Sequence, residues 1–174
     1  MDKLDWIKDL VKAEEQMEES GLVDMTLGFD QDKTLVTETI QFLLNLKTEF
    51  VDSATHFNDL KSSALGRVKI YGIAKTHADF MLFRNGFKMI FSMKNPGIIS
   101  IRLNFIGTQF MTSSAAIGTN QFKETHNQNL SDEQLLEAHL GPFGELEWKF
   151  QGQNFKVSYL VRHYLGLFLK ESAK

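Results

Sequence analysis

The chain has 174 residues, 43 % of them hydrophobic and 24 % charged, which is the usual mixture for one globular domain with a sizeable core. It contains no cysteine, and this excludes disulfides, thiolate metal sites, iron–sulfur clusters and a cysteine nucleophile. The formal net charge of −3 conceals an acidic start, with ten acids and four bases in residues 1–33, and a basic middle, with seven bases and one acid in residues 67–105.

The N-terminus has no apolar segment behind a basic start, so we expect no signal peptide. Nor is any apolar run long enough to span a bilayer. We therefore predict one cytoplasmic domain over residues 1–174.

The first predicted element is an amphipathic helix over about residues 2–20, with Gly21 as its C-terminal stop. Its apolar stripe is narrow, and the acidic residues near its end oppose the helix dipole. We expect a peripheral helix. Residues 22–29 alternate weakly and fit either a strand or an extended connection.

Residues 30–34 (DQDKT) resemble the first ligands of a calcium loop, because oxygen-bearing side chains alternate there. The pattern then fails, since Leu35 stands where such a loop requires glycine and Gln41 where it requires a bidentate glutamate. We favour a loop in which Asp32 or Thr34 caps the next helix.

That second helix is predicted from Thr34 to about Phe57 and should end before Leu65. Its apolar residues recur at helical spacing more regularly than anywhere else in the chain. It is the natural cover for the apolar face of the sheet that follows.

Residues 67–105 predict a four-strand antiparallel meander around a two-residue Asn85-Gly86 turn. Such a turn places Arg84 opposite Phe87 and fixes which residues share a face. The predicted core face comprises Phe80, Leu82, Phe87, Met89, Phe91, Ile99, Ile101, Leu103 and Phe105. Residues 95–97 (NPG) predict a turn with a bulge or irregularity.

The first strand of the meander, residues 68–74, leaves two possibilities for its buried face. Val68, Ile70 and Ala74 share one face, and Tyr71 and Ile73 share the other.

Residues 107–129 are rich in Thr, Ser, Gln, Asn and Gly, and we expect a mobile loop there. Ser131 and Gln134 then form a capping box, which Leu130 and Leu135 complete with a hydrophobic staple. This pattern predicts a helix that ends at Gly141.

The C-terminal part alternates as a strand over residues 146–150, turns at Gln151-Gly152 and extends again over residues 155–157. Ser158 should cap a last helix. This helix is apolar over most of its circumference, so we expect it to be buried on more than one side or to form a dimer contact.

The predicted fold class is α+β, with an antiparallel β-meander of about five or six strands covered mainly on one face by helices. The order helix, strands, helix, strands, helix resembles the layout of secretion-chaperone-type folds. That resemblance implies a dimeric protein that binds other proteins.

Motifs for catalysis or metal binding are not found. The sequence contains neither G-x-S-x-G nor a phosphate loop nor G-x-G-x-x-G. Glu145 and Glu147 share a strand face, but a solvated face is the better interpretation than paired catalytic carboxylates. The histidines are scattered without metal-site spacing: His56, His77, His126, His139 and His163. We predict no enzyme, no metal and no cofactor.

The other face of the meander presents Phe83, Lys88, Ile90 and Arg102, a mixture that can stack on bases and pair with phosphates. An ordinary solvated surface is a second interpretation, since basic residues also protect strands from edge pairing. In a third, the acidic N-terminal helix docks on this basic face, in its own chain or a neighbour.

From these features we predict a non-catalytic binding or regulatory domain. It would act through a protein partner or through self-association as a homodimer. The alternative is a binder of a small anionic ligand or nucleotide on the basic face, and nucleic acid is not an expected partner.

Overall fold

The computed structural model describes residues 4–20, 31–73, 75–106 and 133–173. The predictions for Gly21, residues 22–29, Ala74, residues 107–129 and His126 lie outside this part of the chain. The described helices are α1 (Asp5–Ser20), α2 (Gln31–Leu60) and α3 (Val157–Glu171). The described strands are β1 (Lys69–Gly72), β2 (Phe80–Arg84), β3 (Phe87–Asn95), β4 (Ile98–Phe105), β5 (Gln134–Leu140), β6 (Leu146–Phe150) and β7 (Gln153–Asn154).

The predicted α+β class and antiparallel meander are confirmed. The sheet has seven strands, rather than about five or six, and their spatial order follows the sequence from β1 to β7. Helices α2 and α3 pack on one face, which we call the inner face, and the opposite face is the outer face. Phe50 of α2 contacts the rings of Phe80 and Phe91, and Tyr164 of α3 contacts Phe91.

The β2–β3 hairpin forms as predicted. Asn85 and Gly86 both have positive φ angles, 49° and 80°, as a type I′ turn requires. Arg84 pairs with Phe87, and the register continues to Phe80 and Phe91, whose rings stack with centroids 4.9 Å apart. Of the predicted core face, only Phe105 is exposed, at the end of β4.

The turn between β3 and β4 contains the predicted irregularity. The register shifts between Met93 and Asn95, and Pro96 and Gly97 then occupy the two central turn positions. Gly97 has φ of +78°, the requirement for the second central residue of a type II turn. Its N–H donates to the buried Oγ1 of Thr39, 2.8 Å away, so this turn is fixed against α2.

Strand β1 buries the Val68 and Ile70 side. Val68 is buried, and Ile70 pairs with the buried Leu82. Tyr71 therefore lies on the outer face, where it is 44 % exposed.

The helix predicted from the capping box at Ser131 is wrong. Residues from Gln134 to Leu140 form β5, which pairs with β4 on one side and β6 on the other. Leu136 faces inward opposite Ile99 and is fully buried. The alternation of helices and strands is therefore not formed, and the resemblance in layout to secretion-chaperone-type folds loses its basis.

Two predicted helix caps are also wrong. Helix α2 begins at Gln31, so Asp32 and Thr34 lie inside its first turn. Helix α3 begins at Val157 after Lys156, which makes no side-chain cap, and Ser158 is already helical. The turn at residues 151–152 is confirmed, but the strand after it is Gln153–Asn154 rather than residues 155–157.

Candidate protein-contact surface

The structure brings together the four residues predicted on the outer face. Phe83 pairs with Lys88 across β2 and β3, and Ile90 pairs with Arg102 across β3 and β4. All four side chains are partly exposed. The hairpin geometry fixes this arrangement, because side chains two residues apart on a strand share a face.

Three residues that were not among the predicted site residues extend this surface. Tyr71 packs edge-on against Phe83, with ring centroids 6.4 Å apart, and Met81 pairs with both Tyr71 and Ile90. Lys69 pairs with Phe83 and adds a cation at the β1 edge. We define the outer patch as Lys69, Tyr71, Met81, Phe83, Lys88, Ile90 and Arg102.

A buried polar row borders the outer patch. Ser92 and Ser100 face each other across β3 and β4 and are 4 % and 1 % exposed. The Ser100 hydroxyl donates to Oε1 of Glu133, and the Lys94 ammonium pairs with Oε2, both at 2.6 Å. Hydrogen bonds from Lys94 and then Ser100 lower the pKa of Glu133, and the nearby charge of Arg102 acts in the same direction.

The outer face also carries polar atoms without a hydrogen-bond partner among the described residues. They are Nε of Arg102 and Oδ1 of Asn104, two positions apart on β4. A third such atom is Oδ2 of Asp79, whose Oδ1 accepts from Thr76 and Met93. Buried polar atoms of this kind are uncommon in folded proteins, and Arg102 and Asn104 place two of them side by side on β4.

The outer face changes charge from one half to the other. The β1–β4 half carries the three cations of the outer patch, whereas the β5–β6 half carries two acids, Glu137 opposite Lys149 and Glu147 opposite His139. Glu145, which the sequence pairs with Glu147, instead accepts the N–H of Phe143 and stabilises the turn before β6. Glu145 lies in the turn before β6 and Glu147 lies within β6.

Helix α1 presents an exposed apolar stripe. Together with Leu4, which directly precedes the helix, its members are between 40 % and 62 % exposed: Trp6, Ile7, Leu10 and Val11. Glu14 and Glu15 follow on the helix and are also exposed, and the last turn contains no basic residue. Most of the described side chains of α1 are therefore exposed.

Helix α3 buries one side, comprising Leu160, Val161, Tyr164 and Phe168, and leaves Tyr159 exposed on another. Burial raises the pKa of Tyr164 to about 12, and its hydroxyl donates to Gln134 of β5. An open groove of about 400 Å³ lies between α2 and α3, with Glu49 and Arg162 at its sides.

The described ranges contain no cluster of three or more histidine and acidic side chains that could hold a metal ion. The four histidines in these ranges are exposed and separate: His56, His77, His139 and His163. Within the same ranges, no helix combines the length and hydrophobicity needed to cross a membrane.

Comparisons of the chain with protein-family models, with curated proteins and with solved structures found no match. Its function must therefore be inferred from the surfaces described above.

Proposed function

We propose that this chain is a non-catalytic, cytoplasmic binding domain that contacts another protein through the outer patch. One observation carries the proposal: α2 and α3 cover only the inner face, and the outer face joins aromatic and aliphatic side chains to three cations. Contiguous apolar groups with a polar rim are typical of protein-contact surfaces.

The composition of the outer patch supports a protein rather than a solvent boundary. Tyr71 and Phe83 are in edge contact and offer a rigid apolar area at low cost in side-chain entropy. Arg102 is partly exposed on the same face, and its guanidinium can pair with a carboxylate or carbonyl of a partner. Aromatic residues and arginine are the residue types most enriched where interfaces gain their binding energy.

Site-specific photo-crosslinking in the native cells tests the proposal. A photoreactive phenylalanine analogue at Phe83 should give discrete protein adducts, and Lys88→Glu with Arg102→Glu should abolish them. The same analogue at Tyr159, exposed on α3, is the matched control. Equal adduct yields at positions 83 and 159 would contradict a role for the outer patch.

A second candidate is a small anionic ligand, such as a nucleotide, bound to the same face. The observation that favours it is the grouping of two cations on neighbouring strands, since Lys88 pairs with Asn104 and Arg102 lies two residues before Asn104 on the same face. Phosphate oxygens are strong acceptors for such donors.

Thermal unfolding with inorganic phosphate, ATP or GTP tests this candidate. A ligand at about 100 times its Kd stabilises the folded state by about 2.7 kcal/mol, which is readily measured. Loss of that shift in Arg102→Gln, with Lys149→Gln as the control, would favour the anion. No shift with any of the three compounds excludes them as ligands.

A further inference from the structure

We infer that the partner is a second copy of this chain whose α1 lies across the outer patch, an inference that rests on the proposed function. Among the described residues, α1 leaves its apolar side exposed, and none of the described helices is seen to pack on the outer face of the sheet. Each supplies what the other lacks.

The apolar parts match in kind and size. Helix α1 has 16 residues and is about 24 Å long, while β3 has nine residues and spans about 30 Å. In this arrangement the large apolar side chains of Trp6 and Leu10 would pack on Phe83, Met81 and Ile90. Helix-on-sheet contact of this type is how the same sheet already covers its inner face with α2.

The charges match as well. Glu14 and Glu15 lie in the last half of α1, where acidic groups oppose the helix dipole and no basic residue in the last turn compensates them. Lys88 and Arg102 on the outer patch supply that compensation. Complementary charges of this kind fix the orientation of an interface and speed its formation.

The exposure of α1 in its own chain argues for a second copy. The apolar stripe of α1, together with the preceding Leu4, remains between 40 % and 62 % exposed in the folded chain, so the chain does not bury it by itself. In a two-fold symmetric dimer each copy would give one helix and receive one. The same contact would then form twice, which doubles the buried area.

A charge exchange between two variants tests this arrangement. The helix variant carries Glu14→Lys and Glu15→Lys, and the sheet variant carries Lys88→Glu and Arg102→Glu. In each variant alone, α1 and the outer patch repel each other. In a mixture, α1 of the helix variant meets the acidic patch of the sheet variant, and the other contact is unchanged.

Sedimentation velocity of the full-length protein gives the readout. We expect the wild type to dimerise, each variant alone to dimerise at least about tenfold more weakly, and the equimolar mixture to regain the wild-type affinity. Circular dichroism and thermal unfolding establish that both variants are folded. Leu10→Ser should also weaken the dimer, whereas Tyr159→Ser, an exposed apolar control, should not.

Three results would overturn the inference. They are a wild type that stays monomeric, a dimer that neither variant weakens, and a mixture that remains as weak as its components. The last would show that Glu14 and Glu15 of one copy do not meet Lys88 and Arg102 of the other. Crosslinks from position 83 separate this failure from that of the proposed function: adducts to a different protein refute only the dimer, and no adducts refute both.

Discussion

The inner and outer faces of the sheet belong to the same strands but differ in how their groups are satisfied. On the inner face Phe80 and Phe91 stack on each other and against Phe50 of α2, and both are fully buried. On the outer face Arg102 and Asn104 hold polar atoms without a described partner, and no described helix covers them. The inner face is buried by helices of the same chain, whereas the outer face carries partly exposed aromatic, aliphatic and basic side chains.

Substitutions on the two faces should therefore have different effects on stability and on binding. Inner-face substitutions should lower the free energy of unfolding, because they open cavities or leave buried groups unpaired. Outer-face substitutions should leave unfolding nearly unchanged and alter binding instead. Matched substitutions on the two faces should therefore differ in their effect on the free energy of unfolding.

The largest effect is expected for Phe91→Ala at the centre of the inner face. The phenylalanine ring contacts Phe50, Phe80 and Tyr164. Its loss should cost about 3–5 kcal/mol in urea unfolding, as large-to-small changes in a packed core do. Ile90→Ala, the neighbour on the outer face, should cost about 1 kcal/mol. Equal losses at both positions would show that the outer face is also a packed core.

Arg84→Met should have the next largest effect, because Arg84 shares the inner face with Phe87 and is only 7 % exposed. Its guanidinium donates to the carbonyl of Gly66 at 2.7 Å and to the Leu169 carbonyl and Ser172 hydroxyl, both at 3.1 Å. These bonds fix the C-terminal end of α3 to the hairpin.

We expect a loss of about 2–3 kcal/mol in unfolding, together with faster hydrogen exchange at the Ser172 amide, since three acceptors lose their donor. Lys88→Met, next to the hairpin on the outer face, is the control and should change unfolding by less than about 0.5 kcal/mol. A similar loss of unfolding free energy in both variants would show that the hydrogen bonds of Arg84 do not account for its contribution to stability.

Thr39→Val should have a smaller effect, again on the inner side. The Thr39 hydroxyl accepts the N–H of Gly97 at 2.8 Å and donates to the Leu35 carbonyl at 2.6 Å. Valine keeps the shape but leaves a buried N–H unpaired, which should cost about 1–2 kcal/mol in urea unfolding. Thr48→Val removes a comparable hydroxyl from an exposed site on α2 and should be nearly neutral. Unchanged stability in Thr39→Val would mean that water replaces the hydroxyl.

The residues on each face can be predicted from the sequence where a short segment alone determines the strand register. The Asn85-Gly86 turn sets the register of β2 and β3 by itself, so the burial of Phe80 and the grouping of Phe83 with Lys88 could both be predicted. Strand β5 could not be predicted in this way, because the capping box at its start favours a helix. Pairing with β4 and β6 outweighs that preference.

Two interactions that join distant parts of the chain could not be predicted from the sequence. Arg84 points inward, although arginine is rarely buried without a partner, and its acceptors lie on α3 and before β1. Glu133 meets Ser100 and Lys94, which are 33 and 39 residues earlier in the chain. Strand register predicts on which face of the sheet a side chain lies. It does not predict which polar group from a distant part of the chain will form a hydrogen bond with that side chain.

The smallest effect is expected for Glu133, at the border of the two charge halves of the outer face. Hydrogen bonds from Lys94 and Ser100 hold the pKa of Glu133 below its ordinary value of 4.5 in the folded chain. A lowered folded pKa means that this group stabilises the fold above pH 4.5 and that the stabilisation disappears as the pH falls through the folded pKa. Because the Lys94–Glu133 pair is partly exposed, the change should be slight and should shrink further at high salt.

Urea unfolding of the wild type and Glu133→Gln between pH 7 and pH 3 measures this difference. The two stability curves should be separated at pH 7 and should converge as the pH falls, because the Glu133 carboxylate stabilises the fold only while it is charged. Curves for Glu133→Gln that stay parallel throughout would show that Ser100 is buried by packing alone and that the border of the outer patch carries no charge-dependent stability. In that case the outer face would contribute to binding and not to folding, and its contrast with the inner face would be sharper.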